Sequence, residues 1–399
     1  MSHNRGSRNS VISILVLGMV YFAASLVLMG SDYRPLSPTL VYLRYGLVFL
    51  GLLYFAVIYL KEHYRSRLAR PILVVYAFIS WFIFSVLVIM SQIYNDFFPT
   101  EGFFFLLVIP VFYLLVVPRV VQYRPEKIIL ASLLAGASFL VLSYLTVPFT
   151  WQWYSGLAAN PNGFGEVAFQ TFVCSWLFFW KALKEGTTKF NLKIIILLTL
   201  IGVSSLSIIF SCNRTAVVAV LITLVLTLGF GAFSYRHSWK LILSILLLLG
   251  LICLTPVRTI LIENVGGKFQ QYTSAGDPLN GRLEKWGGVM DNASLLGHGP
   301  QDTGAINAHN SLVNVVGEYG ILAGLGLGLF LFLSLIISTR YSLRHARDNP
   351  LELAPLLITV VFLLLSMTET MFGAIGQGIT ILFFNCLGIA LNAPARPDN

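Results

Sequence analysis

The 399-residue chain is 57% hydrophobic and 11% charged, with a mean hydropathy of +0.80. Soluble proteins carry about 25% charged residues, so this composition excludes a soluble globular enzyme and predicts an all-α polytopic membrane protein. The net charge of +9 calls for no nucleic-acid partner, because the positions of the lysines and arginines are those expected from membrane topology.

Apolar runs near twenty residues long predict about twelve transmembrane helices, since a backbone in lipid must satisfy its own hydrogen bonds. Spans one to nine fall within residues 1–257, a polar loop occupies residues 258–309, and spans ten to twelve with a short tail occupy residues 310–399. The predicted spans are 11–30, 39–60, 71–93, 103–118, 128–148, 164–183, 193–210, 215–234, 239–257, 310–339, 352–369 and 371–392.

The basic residues predict the orientation of these spans. With the N-terminus in the cytoplasm, 19 of the 26 lysines and arginines fall on the cytoplasmic side. This distribution follows the positive-inside rule, and an even number of spans places both termini in the cytoplasm. The seven that fall on or near the outer side are Arg34, Arg44, Arg214, Arg258, Lys268, Arg282 and Lys285.

Residues 258–309 form the one long outer loop in this topology. Long loops in compact proteins usually carry function or are disordered. Within it, residues 277–291 have the pattern of a turn followed by a short amphipathic helix, with Leu283, Trp286 and Met290 on one side. We therefore expect an ordered and partly helical loop.

Two of the six histidines, His298 and His309, fall on the outer side. His298 lies between glycines, which favours a mobile loop residue. His309 directly precedes a predicted helix that Asn310 or Ser311 can cap, so it is held by a rigid element and still reaches water. The alternative is that His309 only closes the end of the helix bundle.

The helix after His309 begins with a polar stripe. Asn310, Asn314 and Glu318 recur every four residues and therefore share one face. Such residues usually line sites, and the alternative is that they hydrogen-bond to neighbouring helices. The stretch 310–339 would extend about 45 Å across a hydrocarbon core of about 30 Å, so it must protrude, tilt or break, with Gly317 and Gly320 as the weak points.

Three outer arginines are candidate ligands for an anion. Arg214 lies in the tight turn SCNRTA, Arg282 opens the helix of the long loop, and Arg44 lies inside the second span. The planar guanidinium donates paired hydrogen bonds to phosphate and stays charged, which favours a phosphate-binding set. Each arginine also has a structural alternative. Arg214 could contact lipid headgroups, and Arg282 could form a salt bridge with Asp277 or Asp291. Arg44 could pair with Asp32 or Glu166.

Two further features are weaker. Asn160 and Asn162, in NPNGFGE, offer amides at the outer start of the sixth span, although such stretches are usually plain turns. Glu369, between the last two spans, is another outer acid near the bilayer. The sequence has no Asp-x-Asp pair, no GxxxxGK[ST] loop and no HExxH motif, so we predict neither a metal nor a cofactor.

Four motifs together resemble the bacterial O-antigen ligase and polymerase superfamily. They are NRTA at residues 213–216, RxxxW at Arg282 and Trp286, GHG at residues 297–299, and HNSLVNVVGEYGILAG at residues 309–324. The similarity covers most of the membrane core. The single long outer loop between spans nine and ten, in a chain of this length, favours the O-antigen ligase branch.

The resemblance implies an enzyme of the bacterial inner membrane with a periplasmic active site. Its donor would be O-antigen on undecaprenyl diphosphate, and its acceptor a sugar hydroxyl of the lipid A core. His309 would be the general base, while Arg214, Arg282 and Arg44 would hold the diphosphate, without a metal and with inversion at the anomeric carbon. The supporting residues would be Asn310, Asn314, Glu318, Asn160, Asn162 and His298.

Two alternatives stay open at this point. An O-antigen polymerase shares the same motifs and differs in its acceptor. A membrane transporter would also have about twelve spans, with Arg44, Glu166 and Glu369 along its substrate path. The candidate residues gather at the outer end of the spans and not at the midplane, which disfavours the transporter.

Overall fold

The computed structural model describes residues 2–26, 38–62, 72–158, 160–185, 192–234, 257–267, 281–299, 308–372 and 377–392, with isolated positions between 243 and 270. These residues form helices, and no strand occurs among them. In chain order the helices are α1 (Ser2–Ser25), α2 (Pro38–Lys61), α3 (Ile72–Tyr94), α4 (Thr100–Val120), α5 (Pro125–Thr146), α6 (Pro161–Lys184), α7 (Leu192–Phe210), α8 (Arg214–Ser234), α9 (Val257–Leu261), α10 (Arg282–Asp291), α11 (Ser311–Tyr319), α12 (Ile321–His345), α13 (Ala354–Ser366) and α14 (Gly378–Asn392).

Within the described part of the chain, seven helices have the length and apolar composition needed to cross a membrane. They are α2 from Val41, α3, α4, α5, α7, α8 to Gly231, and α12. Three shorter apolar helices cover Ser10–Ser25, Pro350–Ser366 and Gly378–Asn392. The all-α polytopic class is therefore confirmed. The count of twelve spans stays a prediction, and most of the predicted span 239–257 lies outside the described residues.

Two helices depart from a simple α-helical span. The middle of α4, Phe104–Val116, is a π-helix that contains Pro110. Proline lacks the amide hydrogen that the α-helical ladder needs, so Pro110 interrupts the ladder within this stretch. α6 is buried along its whole middle, from Gly163 to Trp180, because α5, α7, α8, α14 and the short 3-10 turn Pro350–Leu353 surround it. α6 is thus the central helix of the bundle, and its first residue lies beside the candidate site.

The predicted span 310–339 is broken in two, which is one of the three outcomes that its excess length allowed. The break falls at Gly320, and Gly317 is helical within α11. Gly320 separates α11 from α12 with φ +97° and ψ 166°, a conformation that is essentially restricted to glycine. The described end of the long loop docks on this break. The Ile321 amide donates to the Ser294 carbonyl at 3.0 Å, and the Gly299 amide donates to the Glu318 carbonyl at 3.0 Å. The loop and the break therefore hold each other in place.

We expect Gly320→Ala to destabilise the protein by about 3 kcal/mol or more. A Cβ at this position would overlap the Leu295 carbonyl oxygen, and the backbone conformation is itself unfavourable for alanine. Denaturant titration in mixed micelles measures the change in the free energy of unfolding. Gly328→Ala is the matched control in α12, since a Cβ there meets only the Leu312 side chain at 4.0 Å. Equal stability of the two variants would contradict the role given to the break.

Candidate functional site

His309 lies immediately before α11 in a strained backbone conformation. Its φ of +47° is in the left-handed region, which is uncommon outside glycine, although asparagine, aspartate and histidine adopt it more often than other residues. Asn310 is the N-cap, as predicted, and its side-chain oxygen accepts from the amides of Leu312 at 3.0 Å and Val313 at 3.2 Å. The cap fixes the start of α11, and backbone strain of this kind is concentrated at functional sites.

Glu369, in the turn after α13, joins several of the predicted site residues. Its Oε2 lies 3.2 Å from Nδ1 of His309. Its Oε1 accepts a 2.8 Å hydrogen bond from the Asn162 amide and lies 3.7 Å from the Arg282 guanidinium. The Glu369 side chain is only 15% exposed, so these contacts are screened less than surface ion pairs. We call Glu369, His309, Arg282 and Asn162 the Glu369 cluster.

The turn that carries Glu369 is attached to the first turns of α11. Ser311 Oγ donates to the Glu369 carbonyl at 2.9 Å and accepts from the Met371 amide at 2.9 Å. Asn314 donates from its amide to Thr370 Oγ1 at 2.6 Å and accepts from the Ala308 amide at 3.0 Å. Asn314 therefore connects the residue before His309 with the residue after Glu369, which holds the two side chains in register.

The start of α6 contributes the amide of the cluster, and the start of α8 is bonded to it. Asn160 caps α6 by accepting from the Asn162 amide nitrogen at 2.8 Å. The Asn213 side chain donates to the Asn162 carbonyl at 2.8 Å and accepts from the Ala216 amide at 3.0 Å. Arg214, the next residue, is half-buried and begins α8. Arg214 is therefore the neighbour in sequence of Asn213, which bonds directly to the cluster residue Asn162.

The loop helix α10 is anchored by Trp286, whose indole N–H donates to the Ala308 carbonyl at 2.7 Å. This bond brings Arg282, one turn earlier, to the cluster. The acid beside Arg282 is Glu369, which differs from the acids considered from the sequence. α10 is the helix predicted within the loop, and its Leu283 and Met290 side chains are more than half exposed.

Three predicted site residues lie elsewhere. Glu318 is at the far end of α11, near Glu101 and Tyr319. His298 is exposed and bonds through Nε2 to the Asn292 carbonyl at 2.7 Å, at the end of α10. Arg44 lies in α2 and interacts electrostatically with Tyr113 of α4. It is thus Glu369, and not Glu318, that contacts the His309 ring.

The comparisons with known proteins leave the family open. No model of a known protein family matches the chain, and no curated protein matches it. The geometry of the cluster and the sequence motifs are therefore the features that bear on function.

The cluster combines a proton acceptor with positive charge. A carboxylate accepts hydrogen bonds and does not donate them, so its contact with Nδ1 favours the tautomer of His309 with hydrogen on Nδ1. In that tautomer Nε2 is the atom that can accept a proton. The nearby Arg282 guanidinium has five N–H donors, and Glu369 Oε1 lies 3.7 Å from it. One carboxylate oxygen at that distance does not use all five donors. Across the described residues, no group of three or more His, Cys, Asp or Glu side chains could hold a metal ion.

Glu369 is the main residue that sequence reasoning undervalued. It was recognised as an outer acid, but nothing local to the TET tripeptide at 368–370 links it to a histidine 60 positions earlier. Asn213 was likewise visible only as part of the NRTA motif. The available signal was topological, since both residues lie in short turns on the same predicted side of the membrane as His309.

Proposed function

We propose that the protein is an inner-membrane glycosyltransferase that joins O-antigen from undecaprenyl diphosphate to a sugar hydroxyl of the lipid A core. The contact of Glu369 with both His309 and Arg282 is the observation that carries this proposal. It brings a base, His309, and an anion-binding residue, Arg282, to the same carboxylate at one end of the helix bundle. The four sequence motifs support the same assignment.

The reaction is a single displacement. Nε2 of His309 takes the proton of the acceptor hydroxyl as its oxygen attacks the anomeric carbon of the donor sugar. The bond from that carbon to the diphosphate oxygen breaks, its electron pair leaves with undecaprenyl diphosphate, and the configuration inverts. Base and leaving group then lie on opposite faces of the sugar. The proton passes from the imidazolium to water.

The arginines stabilise the charge that develops on the leaving diphosphate. Arg282 is held by Trp286 and Glu369, and Arg214 begins a helix that Asn213 fixes. Guanidinium groups bind phosphate oxygens in pairs and remain charged, so they supply the positive charge for which other glycosyltransferases use a metal. Arg44 is proposed as a more distant ligand of the same diphosphate. The donor itself supplies the energy, so no cofactor is required.

The remaining residues fix the base and the arginines. Glu369 selects the tautomer of His309, and Asn162 donates to the same carboxylate. Asn310 and Asn314 hold the first turns of α11 against the turn of Glu369. Both substrates are lipids, which fits a site among helices at the periplasmic boundary of the bilayer.

The test is transfer in proteoliposomes that contain purified lipid-linked donor and lipid A core, with EDTA in one arm. We expect capped core in both arms, with equal rates. Lengthened donor without capped core would favour an O-antigen polymerase. Counterflow of labelled substrate with no covalent product would favour a transporter, and loss of activity in EDTA would contradict the metal-independent mechanism.

A further inference from the structure

The turn between α5 and α6, residues 147–158, has a fixed conformation. Its anchor is Tyr154, which is 1% exposed. The Tyr154 amide donates to the Phe210 carbonyl at 3.0 Å, and its hydroxyl donates to the Ser143 carbonyl at 2.7 Å. Its ring is stacked on Tyr144 with the centroids 5.2 Å apart. The turn is therefore built onto the ends of α5 and α7.

This fixed turn presents aromatic rings at the surface. Trp151 is 63% exposed, Trp153 is 44% exposed and Phe149 is 41% exposed. The Trp151 ring packs nearly perpendicular to Phe149, at 5.1 Å and 78°, and to Phe210, at 5.6 Å and 84°. Trp153 has a φ of +59°, which is unfavourable for a tryptophan backbone. We call Phe149, Trp151, Trp153 and Phe210 the aromatic platform.

The platform is connected to the Glu369 cluster by two short chains of contacts. Phe210, at its base, is three residues before Asn213, whose side chain bonds to the Asn162 carbonyl. Tyr154 also packs edge-on against Phe164, two residues after Asn162, with the centroids 4.9 Å apart. Both routes lead from the exposed tryptophans to the amide that contacts Glu369. The platform is therefore packed against the elements that carry the amide contacting Glu369.

We propose that the aromatic platform binds the polysaccharide chain of the donor. Sugar rings have faces of C–H groups that pack on indole surfaces, while their hydroxyls at the ring edges stay in water, and the contact needs no charge. It therefore tolerates different sugars along a chain. This proposal rests on the proposed function, which supplies the polysaccharide.

The other reading of exposed tryptophans beside a membrane span is an aromatic belt in the headgroup region. Anchoring of that kind requires only that each tryptophan ring lies at the depth of the lipid headgroups. It does not require the rings to be fixed relative to one another. Here one tryptophan is fixed between two phenylalanines, and the other is held in a strained backbone conformation. Strain that the surrounding structure maintains is typical of binding sites. The geometry thus favours a ligand with ring faces.

The experiment measures binding without catalysis. O-antigen oligosaccharides are released from the lipid carrier by mild acid, sorted by length and titrated against the detergent-purified protein by saturation-transfer NMR. We expect Trp151→Ala and Trp153→Ala each to weaken binding of chains of several repeats by about fivefold or more, the size of losing one aromatic contact. Alanine is chosen at 153 because it keeps nearly the same backbone cost at positive φ. Tyr42→Ala in α2, which removes a 75% exposed aromatic ring far along the chain from the platform, should leave binding unchanged.

The outcomes separate this proposal from the proposed function. His309→Asn should bind the oligosaccharides as the unmodified protein does, so binding by an inactive variant supports the platform independently of transfer. Absence of oligosaccharide binding by the unmodified protein would overturn the platform even where transfer is observed. Unchanged binding in both tryptophan variants, together with reduced quenching by brominated lipids, would assign these rings to membrane anchoring and overturn it as well.

Discussion

Replacing His309 with alanine should lower the rate of transfer by about 10²- to 10⁴-fold, which corresponds to about 3 to 5 kcal/mol of activation free energy. The acceptor hydroxyl is a weak nucleophile, and the alanine variant lacks the imidazole that takes its proton. The rate of attack on the anomeric carbon therefore falls. The measurement is the initial rate of core capping in proteoliposomes. Binding of the lipid-linked donor should change little, because the arginines are intact.

Two controls separate loss of the base from loss of structure. His309→Asn removes the imidazole but retains a residue that tolerates a φ of +47°, so its backbone should stay in place. His345→Ala removes another histidine that bonds through Nδ1, in the last turn of α12, and should leave the rate unchanged. Full activity of the asparagine variant would remove His309 from the mechanism.

Local sequence signals predicted the features that depend on local chemistry. The N-cap at Asn310 follows from residue type and position, and the break at Gly320 follows from a span too long for the bilayer combined with a glycine. Both are decided within a few residues of chain. The apolar composition decided the helical membrane class in the same way.

The partners of the site residues could not be predicted in this way. Periodicity placed Asn310, Asn314 and Glu318 on one stripe, but it gave no information on which neighbour faces each turn. Asn314 meets Thr370, whereas Glu318 lies near Glu101 in a different helix. Such contacts are set by packing between helices that are distant in sequence, and a single sequence carries no record of them.

Glu369→Gln should lower the turnover rate by at least about 10²-fold without raising the KM for the donor. The glutamine oxygen can still accept from Asn162, so the turn keeps one of its bonds. The glutamine amide would instead donate to Nδ1 of His309, which forces the hydrogen onto Nε2 and removes the acceptor. A comparable carboxylate-to-amide change in a Ser-His-Asp triad costs about 10⁴-fold by imposing the wrong tautomer.

The donor KM and the ring tautomer distinguish this effect from a structural one. Without the carboxylate, no negative charge offsets that of the Arg282 guanidinium, which therefore attracts a diphosphate at least as strongly. The donor KM should then stay equal or fall, while the turnover rate falls. The ¹⁵N shifts of the His309 ring should report Nδ1–H in the unmodified protein and Nε2–H in the variant. Glu126→Gln, which alters an exposed ion pair with Lys181, should change neither quantity. A variant with unmodified turnover, or one whose ring keeps its hydrogen on Nδ1, would contradict the role of Glu369 in selecting the tautomer of the base.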